Sequence, residues 1–536
     1  MSNVKRWDPN QELSIQEQWL LGRLGRVRKL LGFLRRHRHE LFDDAFQAEL
    51  ESMYREGGSG REPLPPALLA MAVLVQGYVG ASDAEMVELT VVDLRVQTVL
   101  GCLGATKPPF AQGTLQGFRE RMIAHDKDRR LLERTVELAR TTGEFDPKKL
   151  PKSLRIAMDS SPLEGAGRVE DTFNLLGHAA RKLAECAAEL LEWPFERLCR
   201  EAGVPLLLAP SLKAGLDIDW SDAEEKAQAI QTVDSQVASL RSWIEKRLPE
   251  ELAKPRLKKQ VDTLDQICSQ NLEPGPRDGG VRVREGVAPD RRVSIEDPEM
   301  RHGRKSKKKL FNGYKRHIAA DVDHGLILAC AVTPANRPEV EATPLLKADI
   351  DRQGLTITEL DIDRAYINST LVDEVLGRRG NVNCKPWNSP NGKMFPKAAF
   401  TQNMRDLTIT CPAGQTESFE LGSVVEFNPD LCDCCPLRAK CTTAEEGNGR
   451  TVTIAENEPL QQRLRKLQSS PAGRKKLRVR TGVEHHLAHM SQRQGKRARY
   501  KGVRKNTFDV RRAAAIQNLE SIHRREPGAP EMRRAA

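Results

Sequence analysis

Apolar and polar positions along the chain fall into two textures. From about residue 10 to 142 the spacing is helical almost throughout, with Leu68, Leu69, Met71, Ala72, Leu74 and Val75 forming an apolar stripe after the Pro63–Pro66 break. Gly77 and Gly80 are expected to turn the chain. Ser82-Asp-Ala-Glu85 then reads as a capping box, in which a Ser and a Glu three residues apart satisfy each other's free backbone N–H groups. Thr114 to His125 predicts another helix, with Arg119 and Arg121 facing outward. Such a helical module suits DNA contact and subunit packing equally well.

The second texture begins at Leu154. Leu154-Arg-Ile-Ala-Met158 alternates as a short strand would, and Asp159 stands at its end. Residues from about 170 to 272 return to helical spacing, with a second capping box expected at Ser221-Asp-Ala-Glu224. The run EPGPRDGGVRVREGVAPDRR that follows has the Pro, Gly and Arg content of a linker or loop. Tyr314–Asp321 and Leu326–Val332 then predict a β-hairpin around Asp323-His-Gly325. A helix over 339–351, a strand over 356–363, a helix over 369–378 and a strand over 381–387 complete the alternation. Strands alternating with helices indicate an α/β sheet with helices on its faces, and the 170–272 block reads as an insertion between its first two strands.

Charge changes the picture more than composition does. The chain of 536 residues is 39% apolar and carries a net charge of +11, with no apolar run of about 18 residues that would predict a membrane span. The polar start MSNVKRWDPNQELS has no signal-peptide core, so a cytoplasmic protein is expected. From Arg463 to Arg512 there are 17 Lys and Arg residues against two acids, Glu484 and Asp509. A tract so one-sided predicts a polyanion as partner.

Three acids are candidates for chemistry. Asp159 lies in MDSSPLEG, Asp363 in LDIDRAYINS and Glu484 in RVRTGVEHHLAHM, which reads as a helix. Ligands of open α/β sheets bind beyond the carboxyl ends of strands, where two strand-end Asp residues can meet. Convergent carboxylates repel one another unless cations neutralise them. Mg²⁺ suits an all-oxygen donor set, and paired divalent ions can stabilise both the attacking and the leaving oxygen of a phosphodiester. Asp361 competes with Asp363, and Asp321 and Asp323 compete within the hairpin, so spacing alone leaves these alternatives open.

Taken together the motifs resemble the bacterial insertion-sequence transposases of the DDE class, over most of the chain. REPLPPALLAMAVLVQGYVGASDAEMVE and FAQGTLQGFRERM are similar to the helical N-terminal domain of that family. Asp159 in IAMDSS matches its first catalytic acid. FNGYKRHIAADVDHGLILACAVTPAN matches its hairpin, Asp363 in an Asp-x-x-Tyr context its second acid, and Arg480-x-x-x-Glu484 its last-helix signature. Relatives often carry a Tyr three residues before that Arg and a Lys seven after the Glu; here Leu477 and Ser491 stand there.

The resemblance implies an RNase H-like mixed-sheet α/β core and hydrolysis at element ends dependent on Mg²⁺ or Mn²⁺, followed by attack of the freed 3′-hydroxyl on target DNA. It implies a homodimer on DNA in the bacterial cytoplasm, at the nucleoid. Arg480, Arg493, Lys496, Arg497, Lys501 and Lys315 are the expected DNA contacts. A catalytically inactive DNA-binding descendant and a nuclease that never joins DNA are the competing readings.

Eleven cysteines do not make a disulfide scaffold in a cytosolic chain. Six are scattered through periodic segments, as small buried hydrophobes are. The other five cluster, and Cys411, Cys432, Cys435 and Cys441 form a plausible four-thiolate set for structural Zn²⁺, with Cys434 spare. Glu484-His-His-x-x-His489 lacks the order of a zinc-protease helix, so His485, His486 and His489 are expected at the surface near phosphate. Tyr500 and Trp387 could stack on an unpaired base, although core packing is the simpler role for Trp387. The expected organisation is a helical N-terminal domain over 1–150 and a catalytic core over 151–525. A helical insertion and linker (170–295) and a cysteine-rich insert (388–455) interrupt the core, and 526–536 is a tail.

Overall fold

The computed structural model describes residues 4–24, 29–54, 62–141, 154–275, 280–306, 308–388 and 390–525. The expected tail lies outside them.

A mixed six-stranded sheet organises the chain from residue 154 to residue 383. Its strands are β1 (Leu154–Glu164), β2 (Arg301–Ser306), β3 (Lys309–Asp321), β4 (Ile327–Pro334), β5 (Ile357–Asp361) and β6 (Asn381–Asn383). The order is β2-β3-β1-β5-β6, and β4 also pairs with β3. β1 is antiparallel to β3 and parallel to β5, and β5 is parallel to β6. The predicted hairpin is β3–β4. β1 runs further than expected, however: Asp159 lies inside the strand, opposite Ile318 of β3, and not at its end. Its pairing to β5 stops at Ala157, so Asp159 stands where one side of the strand becomes free.

The N-terminal helices include α1 (Pro66–Val79), α2 (Asp83–Val92), α3 (Gln112–Ala124) and α4 (Lys127–Thr141). The Ser82–Glu85 capping box forms as predicted. Gly77 does not turn the chain. It lies inside α1, where an added Cβ would stand 2.9 Å from Ile516, so its lack of a side chain lets the last helix pack close. Gly80 alone ends α1, in the left-handed conformation at φ +80°. Arg119 does not face outward either: it is buried, with Nη2 2.6 Å from Asp83 Oδ2. Arg121 is exposed.

The chain from Phe173 to Ile295 buries its own apolar cluster, built mainly from α5 (Thr172–Leu190), α6 (Ala223–Arg247) and α7 (Pro255–Asn271). Asp222, not Ser221, caps α6, accepting from the Glu224 and Glu225 N–H groups. Part of the expected linker forms a small hairpin, Leu272–Pro274 with Val281–Val283, and Arg292 is buried against Ser294 and Ile295 carbonyls. Short strands between Thr401 and Thr453 surround another separate cluster containing Phe400, Ile409 and Phe427.

By contrast the N-terminal helices and the sheet share one continuous core. The remaining helices on the sheet are α8 (Thr343–Arg352), α9 (Thr370–Gly377), α10 (Thr481–Gln494) and α11 (Val503–His523). Asn518 of α11 joins both parts: it exchanges hydrogen bonds with the backbone of Ile327 (2.7 and 2.8 Å) and donates to Thr135 of α4 at 3.0 Å. No single helix among the described residues is long and apolar enough to cross a membrane.

Candidate active site

Asp159, Asp363 and Glu484 line one cavity of about 500 Å³. Three different elements bring them there. Asp159 projects from β1 beyond the end of β5 and accepts a 2.8 Å hydrogen bond from the Ser160 N–H. Asp363 follows β5 by two residues and caps the short turn Arg364–Tyr366, accepting from the Arg364 N–H at 2.7 Å. Glu484 lies in the first turn of α10, where the helix dipole favours a carboxylate.

Arg480, one turn before Glu484, holds two of the acids together. Its guanidinium lies 2.9 Å from Asp159 Oδ2 and 2.6 Å from Glu484 Oε1. Burial raises the Asp159 carboxyl above the usual carboxylate range; Arg480 opposes this, and the charges of Glu484 and Asp363 add to it. An acid strained in this way is typical of sites that await a cation or a proton.

The competing acids are otherwise engaged. Asp361 is buried against Arg155, 2.7 Å from Nε, and takes a further bond from Asn383. Asp321 caps the hairpin turn, accepting from the His324 N–H at 2.6 Å. Neither lines the cavity.

The Tyr and His of the recognised motifs are neighbours. Tyr366, in the Asp-x-x-Tyr context, is buried with its hydroxyl 2.9 Å from His317 Nδ1, and Thr333 Oγ1 lies 2.9 Å from His317 Nε2. Burial drives the His317 pKa down to about 3, and the Lys315 charge acts in the same direction. The motif thus fastens the Asp363 turn to the β3–β4 hairpin. Ser491, at the position of the frequent Lys, accepts a hydrogen bond from buried Arg316. A buried hub replaces a surface cation there.

The expected DNA contacts divide. Lys315 lines the cavity and pairs with Glu339 at 2.9 Å. Arg493 pairs with Glu520 at 2.7 Å, and Lys501 with Glu296 at 2.5 Å. Arg497 donates to the Gly165 and Ala166 carbonyls, while Lys496 is exposed. Farther on, Arg511 and Arg512 are buried, Arg511 against Asp126, Asp128 and Asp349. The basic tract is therefore not one surface. His485 and His489 are exposed, but His486 is half-buried with Nδ1 2.6 Å from Gln517 Nε2. Tyr500 packs edge-on to Phe508, and Trp387 packs against the main core. Sequence reasoning missed Arg304 and Lys305, which also line the cavity; an acid-free run around them was the available signal.

Cys411, Cys432, Cys435 and Cys441 line a second, much smaller cavity, and Cys434 is exposed. The Gln415 N–H points at Cys411 Sγ, 3.3 Å away. Among the described residues no group of three or more His, Cys, Asp or Glu side chains is arranged to hold a metal ion. In chemistry the acid set nevertheless fits a hard divalent cation and the thiol set a soft one.

Two family models match the chain. A transposase DDE domain matches residues 406–523, which contain the cysteine cluster, Glu484 and α11, and a transposase domain (DUF772) matches residues 27–121. No curated protein and no solved structure matches the chain significantly. Both matched domains are transposase domains; they indicate transposition and support an insertion-sequence transposase of the DDE class.

Proposed function

We propose that the protein cuts the ends of a mobile element and joins them to target DNA, with Asp159, Asp363 and Glu484 as its catalytic acids. The observation that carries this reading is the shared cavity of the three carboxylates, with Arg480 between two of them. On this reading the sheet is an RNase H-like core over 151–525, preceded by a helical domain over 1–150 and interrupted over 170–295 and 388–455.

Mg²⁺ or Mn²⁺, held by these carboxylates, would polarise the scissile phosphodiester and make water a stronger nucleophile. The chain supplies the rest. Asp159 and Asp363, each steadied by a backbone N–H, keep their oxygens turned to the cavity. Arg480 neutralises part of the acid charge and has N–H donors for phosphate oxygens. Lys315, ion-paired with Glu339 at the cavity wall, adds further N–H donors. Hydrolysis breaks the bond between phosphorus and the 3′-oxygen, leaving a 3′-hydroxyl that attacks a target phosphodiester. Two ends must be held together, which favours a homodimer on DNA, at the nucleoid.

The inactive DNA-binding reading is not favoured, because such a protein would have no need of three acids around one cavity. Cys411, Cys432, Cys435 and Cys441, which line one small cavity, would hold a structural Zn²⁺ that braces the insert. The packing of Cys411, Cys432 and Cys441 against the Phe400 cluster supports this reading. Incubating the full-length protein and Mg²⁺ with a labelled element end tests the main claim. Cut ends bearing 3′-hydroxyls and joined products are expected, and both should vanish with chelator. DNA binding without either product would reject the reading.

A further inference from the structure

The catalytic cavity has a second wall of opposite charge. β2 and the first residues of β3 form a two-stranded ribbon that continues past the sheet. β1 pairs with β3 only as far as Gly313, whereas β2 pairs with β3 from Gly313 back to Lys309. The ribbon's root is rigid. An added Cβ at Gly303 would stand 2.5 Å from the Ala335 carbonyl oxygen, and Gly313, at φ +150°, has no room for one against the Leu163 carbonyl. His302 Nδ1 and Asn312 Oδ1, 3.0 Å apart, tie the two strands together.

Beyond this root the charge is of one sign. From Arg301 to Leu310 the sequence contains no acid. Arg304 and Lys305 line the catalytic cavity, and Lys308 and Lys309 stand exposed near the tip. None of these four has an ion-pair partner among the described residues, whereas Arg301 at the root is paired with Asp290 at 2.9 Å. Leu310 beside them is 58% exposed. Unpaired like charges on so narrow an element repel one another, and a polyanion relieves that repulsion.

From this geometry we infer that the ribbon of Arg301–Ser306 and Lys308–Leu310 is a DNA-binding arm. It grips the phosphates of the duplex flanking the bond presented to the acids. A two-stranded ribbon is of a width that the major groove, about 12 Å across, accepts. Arg304 and Lys305 hold the strand at the cavity mouth, and Lys308 and Lys309 hold it farther out. The inference rests on the transposase reading of the neighbouring acids, and it adds the surface that carries the substrate.

The test compares the full-length protein with R304Q/K305Q/K308Q/K309Q, measuring affinity for a random-sequence linear duplex across a salt series. Because each phosphate contact contributes about 0.9 to the slope of log Kd against log salt, the variant's slope should be shallower by about two to four. Its melting temperature should be unchanged, since the four side chains are solvated. If the quadruple variant folds poorly, R304Q/K305Q and K308Q/K309Q measured separately should each remove about half of that slope. A wild-type protein that binds and cuts DNA beside a variant with the wild-type slope overturns the arm and leaves the acid site standing. An arm that meets an acidic protein surface would give that same result. A wild-type protein that neither binds nor cuts DNA overturns both.

Discussion

Arg316 of β3 donates a 2.7 Å hydrogen bond to the side-chain oxygen of Gln494, in the last turn of the Glu484 helix, with both residues buried. The same guanidinium donates to Ser161 Oγ at 2.7 Å and to Ser491, so it joins β1, β3 and α10. Gln494 in turn donates to Asp509 of α11 at 2.8 Å. Desolvation lowers the Arg316 pKa to about 10, which leaves it charged and dependent on these acceptors.

Arg316→Met should therefore cost about 3 kcal/mol, because the buried acceptors it leaves behind are unsatisfied. Urea unfolding measures this. Cutting should fall more than DNA affinity does, since the loss loosens the helix that positions Glu484 and leaves the exposed cations alone. A variant as stable as the wild type would show that the hub does not hold the helix.

Acid should weaken the fold through His317. The unfolded imidazole takes a proton below about pH 6.5, whereas the folded one, wedged between Tyr366 and Thr333, resists until about pH 3. A depressed histidine contributes stability that is complete above the unfolded value and is lost as pH falls toward the folded one. Each such proton gives a slope of about 1.4 kcal/mol per pH unit. His486, whose pKa burial lowers to about 4, adds a second proton over part of the range. His317→Asn should remove one proton's worth of slope between pH 6 and 4, whatever its absolute stability; an unchanged slope would contradict the assignment.

Metal analysis of protein purified without chelator should find about one zinc per chain. Ser in place of Cys411, Cys432, Cys435 or Cys441 should abolish the zinc, whereas Cys434→Ser should keep it, because Cys434 points to solvent. Metal-free wild-type protein would make the cluster four thiols and nothing more.

Local rules were readable in the sequence where the physics is local. The Ser82–Glu85 box and the β3–β4 hairpin depend on residues within a few positions of one another, and both form as expected. Gly77 lies inside a helix and not at a turn for a reason that its neighbours do not carry: the close approach of Ile516, from the far end of the chain. β1 outruns its own sequence pattern, because Ser160-Ser161-Pro162 has no strand character of its own and pairing with Arg316 and its neighbours keeps it extended. The arm was invisible for the same reason. Its cations carry no apolar alternation, and pairing with β3 imposes the strand. The basic tract misled in the opposite direction, since charge counts cannot separate exposed Lys496 from Arg511, whose acidic partners lie on other elements.

The most direct test uses Asp159→Asn, Asp363→Asn and Glu484→Gln, each assayed for cutting of a labelled element end with Mg²⁺ and, in parallel, for DNA affinity. The account predicts that each substitution lowers cutting at least about a hundredfold, the scale lost when one group of a preorganised site is removed, while affinity stays near the wild-type value. Wild-type cutting by any one of the three would remove that acid from the site and contradict the claim that the three act together.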